Sequence, residues 1–205
     1  MRKGMLTLLA LGLLLSGCSG ETAAKDREEG TTPETAVYGM SASQVEWDFP
    51  PLPEEEILDA YQRAVRVYSW FETSPLSGTG EVVTVDGVLY QKVGEEGLSE
   101  MSSLRAYLRS VFSQELADRL LESGGAVRYR DIHGELYVAG EGRSWDESKG
   151  ETDIQIQQTG ENAYSVNVTV ELLDAAGAEN GLECWSFPYT FEGDRWVFSE
   201  FQLVN

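Results

Sequence analysis

Ala163-Tyr164-Ser165-Val166-Asn167-Val168-Thr169-Val170-Glu171-Leu172-Leu173 is the stretch that decides the fold. Its large apolar residues fall at every second position, with Ser, Asn, Thr and Glu between them. That period of two predicts a strand with one buried and one wet face, as in an antiparallel sheet. Thr152 to Gln158 lies just before it, across Thr159-Gly160-Glu161-Asn162, so the two runs form a hairpin. Downstream, Leu182 to Phe191 places Trp185, Phe187, Tyr189 and Phe191 on one face. After Glu192-Gly193-Asp194 the chain returns through Trp196, Phe198 and Phe201. Upstream, two further hairpins turn at His133-Gly134 (Val127 to Ile132, Glu135 to Ala139) and at Asp86-Gly87 (Glu81 to Val85, Val88 to Val93). Asp-Gly is among the strongest short hairpin signals.

Helices precede these strands. Glu54, Glu55 and Glu56 occupy a first helical turn, where carboxylates favour the positive end of the macrodipole. Ile57, Tyr61, Val65 and Tyr68 follow on one apolar face, with Leu58 and Ala64 beside them. The helix ends near Trp70-Phe71, ahead of Ser74-Pro75 and Gly78-Thr79-Gly80. A second helical stretch after Gly97 carries Leu104, Leu108 and Val111. Ser113 caps a further segment with Leu116, Leu120 and Leu121, and Gly124-Gly125 closes it. Helices early and hairpins late predict an α+β fold, with helices packed on the concave face of a curved antiparallel sheet in a cystatin-like or NTF2-like arrangement.

The amino terminus carries a location signal. Arg2 and Lys3 precede an apolar run from Met5 to Leu15. That run is about 11 residues long, against roughly 20 for a membrane span. Leu15-Ser16-Gly17-Cys18 then matches the bacterial lipobox. Residues 1–17 therefore read as a signal peptide and Cys18 as the lipidation site. The mature protein is expected on the outer face of the bacterial cytoplasmic membrane, touching it through the lipid alone. Residues 18–50 read as the lipidated cysteine and a disordered tether with coil dimensions of about 30 Å; residues 51–205 are the folded domain.

Charge and cysteine content exclude several classes. The chain has 15 basic and 35 acidic residues, and loss of Arg2 and Lys3 leaves a net charge of −22. Such a surface repels nucleic acid and anionic head groups, and favours a basic protein partner, cations or plain solubility. With Cys18 acylated, Cys184 has no disulfide partner; it reads as a half-buried strand residue. The single histidine, His133, sits in a turn. A triad or a Cys–His pair would rest on that turn residue, and a His-rich zinc site is excluded. There is no Gly-rich phosphate cradle and no acid pair in an apolar setting. The expectation is no catalytic residue, no metal and no cofactor. Gly140 to Gly150 stands out instead, because Trp145 lies among Glu141, Arg143, Asp146 and Glu147, the composition of a protein-binding hot spot.

Five motifs in order give this chain a family likeness. They are Ala64-Val65-Arg66-Val67-Tyr68-Ser69-Trp70-Phe71; Tyr90-Gln91-Lys92-Val93; Leu104-Arg105-Ala106-Tyr107-Leu108 with Val111-Phe112-Ser113; Gly134-Glu135-Leu136-Tyr137-Val138; and Trp196-Val197-Phe198-Ser199-Glu200-Phe201-Gln202-Leu203-Val204. Across residues 54–205 the sequence resembles the IseA family, inhibitors of cell-wall DL-endopeptidases. The resemblance implies a non-enzymatic inhibitor that blocks the cleft of Cys–His peptidases of the NlpC/P60 type and restrains autolysis; the chain itself is expected to be a monomer. It also implies an acidic surface and an inter-strand loop as the means of reaching the target. That loop maps onto Gly140 to Gly150, with Glu141, Arg143, Trp145, Asp146 and Glu147 as partner-binding residues. The lipobox and tether depart from the secreted members. A second reading is a small-ligand or cell-wall-polymer binding lipoprotein, with a concave aromatic pocket lined by Trp185, Tyr189 and Trp196.

Overall fold

The computed structural model describes residues 50–124 and 128–204. The expected signal segment, Cys18 and all but the last residue of the tether lie outside the described residues. Among the described residues the chain is α+β, with three α-helices and two antiparallel four-stranded sheets.

The first helix, α1 (Glu54–Ser69), carries its three glutamates in the first turn and Arg66 in the last. Ile57, Tyr61, Ala64 and Val67 are its buried residues, a stripe at i, i+4, i+7 and i+10. The expected Val65 and Tyr68 lie at the edge of that stripe. After α1 the chain curls back, with the Thr73 and Ser74 amides donating to the Ser69 carbonyl at 3.0 and 2.8 Å.

Strands β1 (Gly78–Val85) and β2 (Val88–Val93) follow. Asp86 and Gly87 both have positive φ, 52° and 81°, the type I′ geometry that matches strand twist. Helices α2 (Met101–Arg109) and α3 (Gln114–Arg119) come next, and α3 continues into a π-helical turn, Leu120–Gly124. The expected cap is present: the Ser113 hydroxyl accepts from the Leu116 amide at 3.3 Å. Strands β3 (Tyr129–Ile132) and β4 (Glu135–Ala139) turn at His133-Gly134, again with both φ values positive. Then come β5 (Lys149–Gly160), β6 (Ala163–Leu173), β7 (Glu179–Glu192) and β8 (Arg195–Phe198).

The strands divide into two sheets, ordered β1-β2-β4-β3 and β5-β6-β7-β8. Alternation along a strand states which side chains are buried but not which strands pair, so the division was not visible in the periodicity. One core serves both sheets. It takes Val93, Tyr129, Leu136 and Val138 from the first, Val166, Val168, Val170 and Phe187 from the second, and the buried stripes of the helices. Phe201 sits where these parts meet, with its ring centroid 4.7–5.7 Å from those of Tyr61, Tyr68, Phe112, Phe187 and Phe198. The helices are also tied to the strands through the backbone. The Ser113 amide donates to the Phe198 carbonyl, and the Leu136 amide to the Ser99 carbonyl, at 2.9 and 2.8 Å.

Tyr129, only 1 % exposed, is both hydrophobe and fastener. Its hydroxyl donates to the Trp70 carbonyl at 3.0 Å and accepts from the Leu76 amide at 3.1 Å. Burial pushes the phenol up to about 12, so it remains a neutral donor. Tyr129→Phe keeps the ring but strands a buried carbonyl and a buried amide, for an expected loss of about 1–3 kcal/mol. Urea unfolding should show a lower midpoint with an unchanged slope.

Candidate functional site

The loop between β4 and β5 crosses from one sheet to the other, and its own sequence dictates how it lies. Gly140 takes φ 71°, a left-handed value suited to glycine. At Gly142 a Cβ would come 1.8 Å from the Thr73 carbonyl oxygen, so the backbone there has room for glycine alone. That close approach lets the Arg143 amide donate to the Glu72 carbonyl at 2.8 Å. The Arg143 guanidinium grips the Glu72 carboxylate through Nη2 at 2.6 Å and Nε at 3.0 Å. On the other side of the loop root, Arg128 donates to the Glu141 carbonyl at 2.8 Å.

The far end is closed by Asp146, whose carboxylate accepts from the Ser148 hydroxyl at 2.6 Å and the Ser148 amide at 3.0 Å. These bonds, with lesser help from Lys149 and Arg143, hold its carboxyl below the usual aspartate value. Lys149 then pairs with Glu183 of β7, and its hydrogen bond holds the Glu183 carboxyl low in turn. The loop is thus fixed at both ends, and Trp145 stands between them, 55 % exposed.

The five expected contact residues therefore divide. Glu141, Trp145 and Glu147 are exposed, and among the described residues their side chains make no hydrogen bond or ion pair. Arg143 and Asp146 are engaged within the chain and shape the loop. Composition alone groups all five, because it does not reveal which charges are already paired.

Two larger clefts share Leu76 on their linings. One, of about 560 Å³, runs between the 75–78 segment, β2 and the loop root, with Leu76, Leu89, Val138 and Glu141 on its lining. Leu89 and Val82, 55 % and 52 % exposed, lie on the core-directed face of the first sheet beyond the reach of the core. The other, of about 570 Å³, has the packed Trp70–Tyr107 pair as its aromatic wall. Neither was foreseen, since both arise where segments distant in sequence meet.

Two expectations need correction. Of the aromatic pocket expected among Trp185, Tyr189 and Trp196, the Tyr189–Trp196 part is filled by its own rings, while Trp185 lines a separate small pocket with Arg143, Asp146, Lys149 and Glu183. Tyr189 stacks on Trp196 at 5.5 Å and packs on Phe198 at 4.6 Å, while Tyr164 closes on Trp196 at 5.4 Å. Cys184 is exposed, not half-buried. It pairs across the ladder with Thr169 on the wet face, the parity opposite to Phe187 and Tyr189. The same alternation that put Trp185 and Phe187 inward already required this. His133 is in the exposed β3–β4 turn of the first sheet, Cys184 is in the second, and among the described residues no bond joins them.

Among the described residues no group of three His, Cys, Asp or Glu is arranged to hold a metal, and no helix is long and apolar enough to cross a membrane. Asp146 supplies a direct check on the loop. A carboxyl with a lowered folded value contributes fully above the unfolded value of about 3.9 and loses that contribution as pH falls through the folded one. In an NMR titration the Ser148 amide should therefore report a midpoint below 3.9, and Asp146→Asn should abolish the titration; an ordinary midpoint would mean the turn is not formed in solution. No protein-family model matches the chain, and no curated protein matches it.

Proposed function

We propose that this protein is a lipid-anchored, extracytoplasmic inhibitor of peptidoglycan DL-endopeptidases of the NlpC/P60 type, acting as a monomer without chemistry of its own. The observation that carries the reading is the β4–β5 loop, stitched to α1 at Glu72 and Thr73 and presenting Trp145 to solvent. A loop already held in one shape loses little conformational entropy when it enters a partner's cleft, so more of its contact energy appears as affinity. Trp is a favoured anchor because it brings a large rigid area. The five motifs that resemble the IseA family lend independent support. Glu141 and Glu147 supply the acidic flank for a basic rim, and the expected lipid at Cys18 confines the encounter to the membrane face.

Pull-down and turnover assays with several NlpC/P60 catalytic domains decide the matter. Binding with dose-dependent inhibition is expected, and its absence across the set overturns the proposal. Trp145→Ala should weaken inhibition by about 30-fold, the value of a 2 kcal/mol hot spot. Glu141→Lys with Glu147→Lys should weaken it more at low salt than at high salt, because exposed charges are screened over about 8–10 Å. Asp146 stays untouched in that variant so that the loop keeps its shape. Equal loss at all salt levels would point to misfolding.

A further inference from the structure

The 570 Å³ cleft lies between the end of α1, the outer side of α2 and the turn at Glu95–Leu98. Trp70 and Tyr107 pack on each other as one aromatic wall, with ring centroids 5.4 Å apart and planes inclined by 37°. Leu76 and Leu98, both buried, form the floor. Gly97, with φ 81°, makes the sharp turn that sends Leu98 inward while Glu95 and Glu96 stay exposed at the lip. The Leu98 amide closes that turn on the Glu95 carbonyl at 3.2 Å. Tyr129 fixes the opposite border by holding the Trp70 carbonyl and the Leu76 amide.

Several groups in this cleft are unused. Among the described residues Glu95 and Glu96 form no ion pair, and neither the Trp70 indole N–H nor the Tyr107 hydroxyl makes a hydrogen bond. One cation is on the lining, the exposed Arg66 of α1, a helical turn before Trp70. It reaches neither carboxylate. The cleft thus offers an aromatic wall and two adjacent carboxylates in a protein of net charge −20. A cation attracted to the faces of Trp and Tyr satisfies the aromatic part. A planar, weakly hydrated guanidinium also satisfies the acidic part, since it can stack and donate a pair of N–H groups at once; a compact ammonium cannot.

We propose that this cleft receives one arginine side chain from a basic protein partner, laid against the Trp70–Tyr107 wall and hydrogen-bonded to Glu95 and Glu96. The inference is independent of the inhibitor reading, and its test needs no endopeptidase.

The full chain is titrated at low ionic strength with acetyl-Gly-Arg-Gly-amide, following the Trp70 indole signal by NMR. A saturable, millimolar shift is expected. Glu95→Gln with Glu96→Gln should weaken it about 5- to 10-fold, the loss of a charge-assisted pair. Arg66→Gln should tighten it about 2- to 3-fold by removing a like charge. Glu54→Gln with Glu55→Gln, remote on α1, should leave it unchanged. The proposal is overturned by no saturable shift, by equal binding of acetyl-Gly-Gln-Gly-amide or of N-acetylglucosamine, by equal weakening in the remote pair, or by Arg66→Gln leaving binding unchanged or weaker. If the Glu95/Glu96 variant melts at a lower temperature than the parent, the Arg66→Gln titration alone decides.

Discussion

The hydroxyl of Tyr129 is the point on which the functional side of this molecule depends. It is buried, and it satisfies two backbone groups from the segment after α1. An unpaired amide or carbonyl in that setting costs about as much as one sizeable packing defect. Fixing the segment between residues 70 and 76 has three consequences. It places the Glu72 and Thr73 backbone where the β4–β5 loop docks. It sets Leu76 as a shared floor for both clefts. It turns Trp70 toward Tyr107. A strand residue of the first sheet thereby controls features that belong to a helix end and an inter-sheet loop.

Much of the architecture was legible, and for identifiable reasons. The hairpins at Asp86-Gly87 and His133-Gly134 were written in residues that tolerate left-handed backbone, and all four positions adopt it. The α1 stripe and the Ser113 cap followed from spacing and hydroxyl chemistry. What stayed hidden was long-range. The break into two sheets at residues 140–148 depends on Gly142 finding the Thr73 carbonyl and on Phe201 gathering rings from four elements and connectors. Neither contact leaves a periodic trace.

The candidate site shows the same division. Trp145 was conspicuous because a large aromatic among charges in a Gly-bounded loop has few structural duties, and it is exposed. Arg143 and Asp146 looked equivalent to their acidic neighbours, yet each spends its charge inside the chain. Cys184 was misjudged although the parity of β7 fixed its face. The Trp70–Tyr107 cleft left only one local sign, the Glu95-Glu96-Gly97 run before a buried leucine. Its other wall comes from α1, and no spacing rule connects the two.

These arrangements assign different work to charge in different places. The Arg143–Glu72 pair is half-exposed, 47 % and 33 %, and an isolated pair of that kind contributes about 1 kcal/mol at most. It cannot hold the loop alone. It acts with the backbone bond from Arg143 to Glu72 and with the close fit of Gly142, so that three weak constraints share one geometry. Glu141, Glu147, Glu95 and Glu96 have no such internal partner, and in a chain with 35 acidic residues against 15 basic ones they leave net field at the surface. That field adds little to stability and mainly raises the rate of encounter with a basic molecule. Affinity and register must then come from the rigid aromatic groups it surrounds, Trp145 on the loop and Trp70 with Tyr107 in the cleft. The fold holds those groups still, and in both proposals the unpaired acids are what would draw a basic partner to them.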